Sequence, residues 1–365
     1  MKCDKHPSYQ GQRPPRVECP TCWGIYHLKD AKTSNLDDVR KIRGLQDDKK
    51  SLKRTVNQLQ EKLDEAEKLL VAQDSLHDIK RFAKIKPLTR KTVGEATAVA
   101  LASDWHVEEI VEPRTIGGDN KHNPEIAKKR SQEFFQAIIK HVRRESSTIK
   151  INNLVLALMG DFITGNIHEE NLENCAMRPM EAIKYAGELL LSGIDFLLNN
   201  TDLTLTVPLN VGNHSRITKK QRSATEQGNS LEMLMYSFLA SHFKKESRIT
   251  FIESGSYHTY VKVYNDLLRF HHGHAIGYAG GVGGLTIPAH KAIMRWNCQK
   301  HATLDLFGHH HQRWQTIHFI SNGSQIGYNA FALSRSYEFD VPVQQFLLVD
   351  KLRGVTVRAP ILYRD

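Results

Sequence analysis

The chain has no long apolar stretch. In its 365 residues no run reaches the roughly 18–20 apolar residues that a helix needs to cross a bilayer. The opening Met1-Lys2-Cys3-Asp4-Lys5-His6 has no apolar core behind it of the kind a secretory signal carries. A cytoplasmic protein without a membrane span is the expectation, and disulfides are not expected in that reducing setting. Cysteine is scarce, with five in all. Neither a Walker motif nor a dinucleotide-binding fingerprint occurs, which argues against nucleotide-driven work. There is no acidic excess either, since 50 Lys and Arg stand against 40 Asp and Glu for a net +10.

That charge is unevenly placed. Residues 1–97 hold 21 Lys/Arg and 14 Asp/Glu, a net +7, whereas residues 98–365 hold 29 and 26, a net +3. A basic N-terminal third suggests attraction to a polyanion, nucleic acid above all. The blander alternative is that a basic balance only aids solubility.

Three of the five cysteines fall in residues 1–30. Cys3-x2-His6 is followed, twelve residues on, by Cys19-x2-Cys22. Each pair on a tight turn points both side chains one way, and two such pairs can converge on one tetrahedral zinc. A segment this small buries too little apolar surface to fold unaided, so a structural zinc held by Cys3, His6, Cys19 and Cys22 would supply its stability. Cys175 and Cys298 stand alone and read as buried apolar fillers.

Residues 36–80 contain no proline and follow a heptad. One seam is Leu45, Leu52, Leu59 and Ala66; the other is Ile42, Val56, Leu63 and Leu70, interrupted by Lys49. The pattern predicts a coiled-coil helix of about four heptads that pairs with a second copy as a homodimer or higher oligomer. A single amphipathic helix lying on its own chain is the alternative. A basic linker, 81–96, separates this helix from a third segment, 97–365, where apolar strands alternate with helical patterns in α/β fashion. Strands are expected at 98–103, 153–159, 203–211, 259–264, 267–271, 304–307 and 346–349, and helices at 128–144, 179–198 and 230–243.

Five motifs in that segment each follow an apolar strand: Asp104-Trp105-His106, Gly160-Asp161, Gly212-Asn213-His214, His271-His272-Gly273-His274 and Gly308-His309-His310-His311. Strand ends at one edge of a core sheet would bring their polar side chains together. A mixed carboxylate and imidazole set suits two divalent metals, Mn²⁺ with Fe, Zn²⁺ or Mg²⁺ as alternatives, and such a centre cuts phosphate esters.

The order of these blocks resembles the calcineurin-like metallophosphoesterase family, whose pattern is DxH, GD, GNH, an H before G, and GHxH. The nearest likeness is to phage and plasmid phosphoesterases and, more distantly, to the exonuclease subunits of recombination-repair nucleases. The resemblance covers the third segment only. It implies an α/β fold, the αββα sandwich of metallophosphoesterases, to which the zinc knuckle and coiled-coil helix are additions. It also implies roles: Asp104, His106 and His311 on one metal, Asp161 bridging both, Asn213, His272 and His309 on the other, and His214 as general acid beside the leaving oxygen. His271 is expected to point into the sheet and His310 away from its neighbours. After Asp161 this chain departs from the acidic, arginine-bearing stretch of many relatives, which weakens any likeness to protein phosphatases.

Past His214, the cations Arg216, Lys219, Lys220 and Arg222 fall within seven residues and suit a phosphate backbone, unless they only solvate a loop. His274 is a further candidate substrate contact, and the glycine-rich 277–284 is a weak phosphate-loop candidate. A DNA nuclease, endo- or exonucleolytic, is the leading expectation. The rival is a phosphatase or phosphodiesterase acting on a small molecule or phosphoprotein, with the N-terminal parts used for recruitment.

Overall fold

The computed structural model describes residues 2–77, 94–118, 120–278 and 284–363. The chain divides into two units, Met1–Thr89 and Arg90–Asp365, and each is described by itself.

In the first unit one helix, α1 (Pro20–His77), runs for 58 residues, about 87 Å at 1.5 Å per residue. Proline at its first position lacks an N–H that the helix would leave unused in any case. The first helical bond, Trp23 N–H to the Cys19 carbonyl at 3.1 Å, closes a turn that sets Cys19 and Cys22 on one side. The expected knuckle and coil are therefore continuous, because the second ligand pair belongs to the first turn of the long helix. The chain before it folds back, with Cys3, Cys19, Cys22 and Ile25 forming a small buried cluster. Along the rest of α1 the expected seam is bare: Leu45 is 68% exposed, Leu52 64%, Leu59 60% and Leu63 59%.

In chain order the second unit begins with β1 (Glu95–Ala102), α2 (Pro113–Ile116), α3 (Pro124–Glu145), β2 (Lys150–Leu158), α4 (Glu169–Glu173) and α5 (Pro179–Asn200). It continues through β3 (Thr204–Leu209), α6 (Leu231–His242), β4 (Ile249–Glu253), β5 (Thr259–Val263), β6 (Asp266–Phe270) and α7 (Thr286–Gln299). The last elements are β7 (Leu304–Phe307), β8 (Trp314–Gln315), β9 (Phe319–Ser321), α8 (Ala330–Ser334), β10 (Val343–Asp350) and β11 (Gly354–Leu362).

The strands form two sheets, ordered β11-β10-β1-β2-β3-β4 and β5-β6-β7-β9-β8. In the first, β1 to β4 are parallel neighbours and β10 and β11 join antiparallel. In the second, β6, β7 and β9 are parallel, flanked by antiparallel β5 and β8. Alternation within β1 explains the layering. Ala96, Ala98, Ala100 and Ala102 face a core shared with α3, α5 and α6. Val99 and Leu101 face the other way, with Val155, Met159, Leu268, Phe270 and Leu306 between the sheets. On the far face of the second sheet, Ala289 and Ile293 of α7 pack on Phe307 and Phe319. The result is helix, sheet, sheet, helix: the αββα sandwich that the resemblance implied.

Several expectations need correction. The ligand-bearing strands lie in two sheets, not along one edge of a single sheet; β1, β2 and β3 belong to the first and β6 and β7 to the second. Strand β1 starts at Glu95, which pairs with Lys150, so the last residues of the expected linker 81–96 are already sheet. Residues 78–93 of the helix end and linker lie outside the described residues. Cys298 is exposed and Cys175 only half-buried, so neither is a core filler.

Candidate metal centre

The centre is built where strand ends turn sharply. Of the seven non-glycine residues with positive φ among the described residues, five are expected ligands: Asp104 (55°), His106 (47°), Asp161 (54°), His309 (69°) and His311 (53°). Side-chain-bearing residues avoid this region, and it persists where the surroundings over-determine it. Here the loops brace one another. Asp104 N–H donates to the Gly160 carbonyl at 3.0 Å and His106 N–H to that of Asp161 at 3.2 Å. The Asp104 carboxylate accepts the N–H of His309, 3.0 Å from each oxygen. Two motif glycines follow from this crowding. A Cβ on Gly212 would lie 2.0 Å from Asp161 Oδ1, and one on Gly308 would lie 2.2 Å from Asp104 Oδ2. Between the first ligands, Trp105 is fully buried against Phe134, Phe135 and Phe162 and anchors its loop.

Two ligand groups result. The donor atoms of Asp104, His106 and His311 lie within 4.8 Å of one another, as do those of Asp161, His272 and His309. His106 Nε2 and His311 Nε2 are 3.3 Å apart. His272 Nε2 is 2.8 Å from Asp161 Oδ2 and 3.2 Å from Asn213 Oδ1.

The outer ring nitrogens show which lone pairs point inward. His272 Nδ1 meets the Met159 carbonyl at 2.8 Å, and a carbonyl can only accept, so Nδ1 carries the proton and Nε2 is left as a donor to a cation. For His106, Nδ1 is 2.9 Å from Thr164 Oγ1, and that hydroxyl donates to Glu109 Oε2 at 3.0 Å. This is a carboxylate–hydroxyl–histidine relay that leaves Nε2 unprotonated and facing His311. Two imidazole nitrogens at that separation, beside a carboxylate, fit a divalent cation.

Electrostatics agree with this. Burial, aided by His214 and His311, lowers His106 far below the usual imidazole range. Burial, with His272 and His310, does the same to His309. Burial opposes charge on His272 and His311 too, but Asp161 lifts the first to about 10 and Asp104 raises the second. Burial works against the ionised form of Asp161, and His272 and His214 overcome it, holding the carboxyl well below its normal value. Each group thus pairs a neutral imidazole with one drawn towards protonation by a carboxylate, where a cation would supply the positive charge instead.

His214 stands apart from the donors but beside them. Its Nδ1 donates to the Thr164 carbonyl at 2.9 Å, which turns Nε2 outward, and its N–H donates to Asp161 Oδ1 at 2.9 Å. It lines two clefts. The first, about 600 Å³, also exposes His106, Asp161, Asn213, His309 and His311. The second, about 990 Å³, is walled by Arg178, Met180, Arg216 and Ile217.

Not every expected contact gathers here. Of the four cations past His214, only Arg216 lines a cleft, bonded to the Asn213 carbonyl; Lys219, Lys220 and Arg222 are exposed on the loop. His274 sits beside His272 but gives Nε2 to Glu226 at 2.9 Å, and it lines neither cleft. His271 is buried and stacked on Phe307, as expected of a residue pointing into the sheet. His310 is buried against Phe307 and Tyr278. Residues 279–283 of the glycine-rich stretch lie outside the described residues.

Two carboxylates beneath the site carried no motif signal. Glu232 accepts from the N–H groups of Phe162 and Gly212 at 2.8 and 2.7 Å. Glu108 Oε1 accepts from Thr164 and Gly165 N–H, both at 2.8 Å, while burial raises its carboxyl to about 8. A lone Glu on a helix or loop is common, and only the fold shows what these two hold.

In the first unit, Cys3, His6, Cys19 and Cys22 place their donor atoms within 4.8 Å of one another. The separations are 3.6 Å for Cys3–Cys19, 3.8 Å for Cys3–His6 and 3.5 Å for Cys22–His6. With Zn–S near 2.3 Å and Zn–N near 2.0 Å, the edges of a tetrahedron are about 3.5–3.8 Å. The Cys22 N–H lowers the Cys19 thiol to about 6, favouring the thiolate a metal requires.

No family model and no curated protein sequence matches the chain. Among solved structures it is similar to Vps29 from Entamoeba histolytica in complex with Zn²⁺, at 12% identity and a TM-score of 0.29, over 72% of this chain and 99% of that one. It is also similar to Yfce, a phosphoesterase from E. coli, at 12% identity and a TM-score of 0.31, over 72% and 99% of the two chains. What the centre can do is decided by its own side chains.

Proposed function

We propose that this chain is a two-metal-dependent phosphodiesterase acting on nucleic acid, with DNA as the leading substrate. The observation that carries this reading is the position of His214, at the junction of two clefts with the ligand groups on one side. A small monoester needs only the first cleft. A polymer would use both, with its scissile phosphate at the candidate ligands in the first cleft and its chain continuing past His214 into the second.

Asp104, His106 and His311 would hold one cation and Asn213, His272 and His309 the other, with Asp161, whose charge acts on histidines of both groups, shared by the two. Bound there, a pair of divalent cations supplies Lewis-acid polarisation of the phosphoryl oxygens and activation of the attacking water. The protein's own groups do the rest. His214, its Nδ1–H fixed on the Thr164 carbonyl, delivers a proton from Nε2 to the leaving oxygen. Arg216 and Arg178 meet the continuing backbone in the second cleft. Manganese is the favoured metal, on the strength of the mixed imidazole and carboxylate set.

The same reading assigns zinc to Cys3, His6, Cys19 and Cys22, and self-association to the exposed seam of α1, with the basic N-terminal third aiding attachment to DNA. Among the described residues no helix is long and apolar enough to cross a membrane.

The test uses purified protein with Mn²⁺, offered linear, circular and single-stranded DNA beside bis(p-nitrophenyl) phosphate. Cutting of DNA that disappears in Asp161→Asn is the expected result. Hydrolysis of the small ester with every DNA left intact would favour the rival small-substrate enzyme.

A further inference from the structure

One wall of the first cleft differs chemically from the second cleft. It is made by α8 and the turn after it. Phe331 is 54% exposed there, and Arg335 and Tyr337 line the same cleft. The Arg335 guanidinium carbon lies 5.4 Å from the centre of the Phe331 ring. Tyr337 meets that ring edge-on, at 6.3 Å and 85°. The Phe331 ring is thus an exposed apolar surface in the cleft, with a cation beside it and a second ring at its edge.

One connection fixes this wall to the ligands, and another closes the wall on itself. Asn329 caps α8 by accepting the Ala332 N–H at 3.0 Å, and its amide donates to Glu109 Oε1 at 2.8 Å. Glu109 is the end of the relay through Thr164 to His106. At the other end of α8, the N–H groups of Tyr337 and Ser336 return to the carbonyls of Ala332 and Leu333, with Ser336 left-handed at φ 56°. That closure sets Arg335 and Tyr337 on either side of the turn. The platform is therefore in fixed register with the cleavage centre.

Charge differs between the two clefts. Glu109, Glu169 and Glu170 outnumber Arg335 in the first and disfavour a phosphate backbone. Arg178 and Arg216 outnumber Glu181 in the second and attract one. Resting on the nuclease reading above, we infer that Phe331, with Arg335 and Tyr337, is a stacking platform for an unpaired nucleobase next to the scissile phosphate. The base fills the first cleft, and the phosphate chain departs through the second. A base inside a duplex has no free face to offer, so the platform selects single strands or frayed ends.

The experiment compares wild type, Phe331→Ala and Phe331→Trp, with Mn²⁺, on a short single-stranded oligonucleotide. The same oligonucleotide with one abasic site stepped along it, and bis(p-nitrophenyl) phosphate, serve as the other substrates. Loss of one stacked base should raise KM for the oligonucleotide on the order of 5- to 150-fold in Phe331→Ala, well beyond any change on the small ester, and Phe331→Trp should restore it. An abasic site at one position should erase the difference between wild type and Phe331→Ala. Equal KM values for those two proteins, or a rise of the same size on the small ester, would overturn the platform and leave the nuclease reading standing. If wild type hydrolyses the small ester but no oligonucleotide, the nuclease reading fails and the platform with it.

Discussion

Thr164 bears on four of the side chains around the centre. Its hydroxyl links His106 to Glu109, its carbonyl holds His214, and its N–H rests on Glu108. Thr164→Val keeps the shape and removes the hydroxyl, so His106 loses the acceptor that fixes its tautomer. Outer partners of this kind contribute about 10- to 100-fold in metal affinity, and calorimetric titration of metal-free protein with Mn²⁺ should show a loss in that range. A second residue reports on pH. Burial, with His271 and Arg269 nearby, lowers the His258 imidazole to about 3, against about 6.5 in an unfolded chain. A depressed folded value means that the unfolded state takes the proton first. Its contribution is full above about pH 6.5 and is lost as pH falls towards 3. Urea midpoints should therefore drop more between pH 7 and pH 5 in wild type than in His258→Gln; equal drops would remove this group from the account. The clustering of the candidate ligands was legible in the sequence, because a GD or GNH block names its own side chain. The relay was not, because Glu109, Thr164 and Asn329 are remote in sequence and meet only in the folded loops.

At the scale of elements, the seam of α1 is the clearest periodic signal in the chain. Its leucines are exposed in the structure of one chain, and a second copy in parallel or antiparallel register would cover them. Leu52→Lys with Leu59→Lys puts two charges into that seam. Sedimentation should then shift from dimer or larger species to monomer, whereas a wild type that is already monomeric would refute the pairing. Strand placement was legible where apolar runs were long, as in β1 and β2. The short β4, β8 and β9 were not, since two to five residues carry too little pattern to separate strand from loop. Nor could the strands reveal that they form two sheets. Every ligand-bearing strand reads as a buried apolar run, and pairing between distant segments leaves no local trace. Helix α7 was missed because its apolar residues do not mark one face: Ala289 and Ile293 are buried while Ile287 and Met294 are exposed.

At the scale of the whole molecule, the chain combines a small N-terminal piece built round a candidate metal cluster with a sandwich that assembles its candidate ligands from two sheets. The two should respond differently to metal removal. Chelation should open the segment before α1 to proteolysis ahead of Cys19, because its buried core is little more than the ligands and Ile25. The sandwich has large cores on both faces of its first sheet and should stay folded while losing activity. Protection of the N-terminal segment that is unchanged by chelator would argue against structural zinc.

The most direct test of the central claim is the effect of His214→Ala on two substrates in Mn²⁺. A nucleoside alkoxide is a poor leaving group and needs the proton from His214, whereas p-nitrophenolate leaves without one. The account predicts a kcat loss of about 10²- to 10⁴-fold on a single-stranded oligonucleotide and a much smaller loss on bis(p-nitrophenyl) phosphate. Equal losses on both, or an oligonucleotide that even the wild type leaves intact, would contradict it.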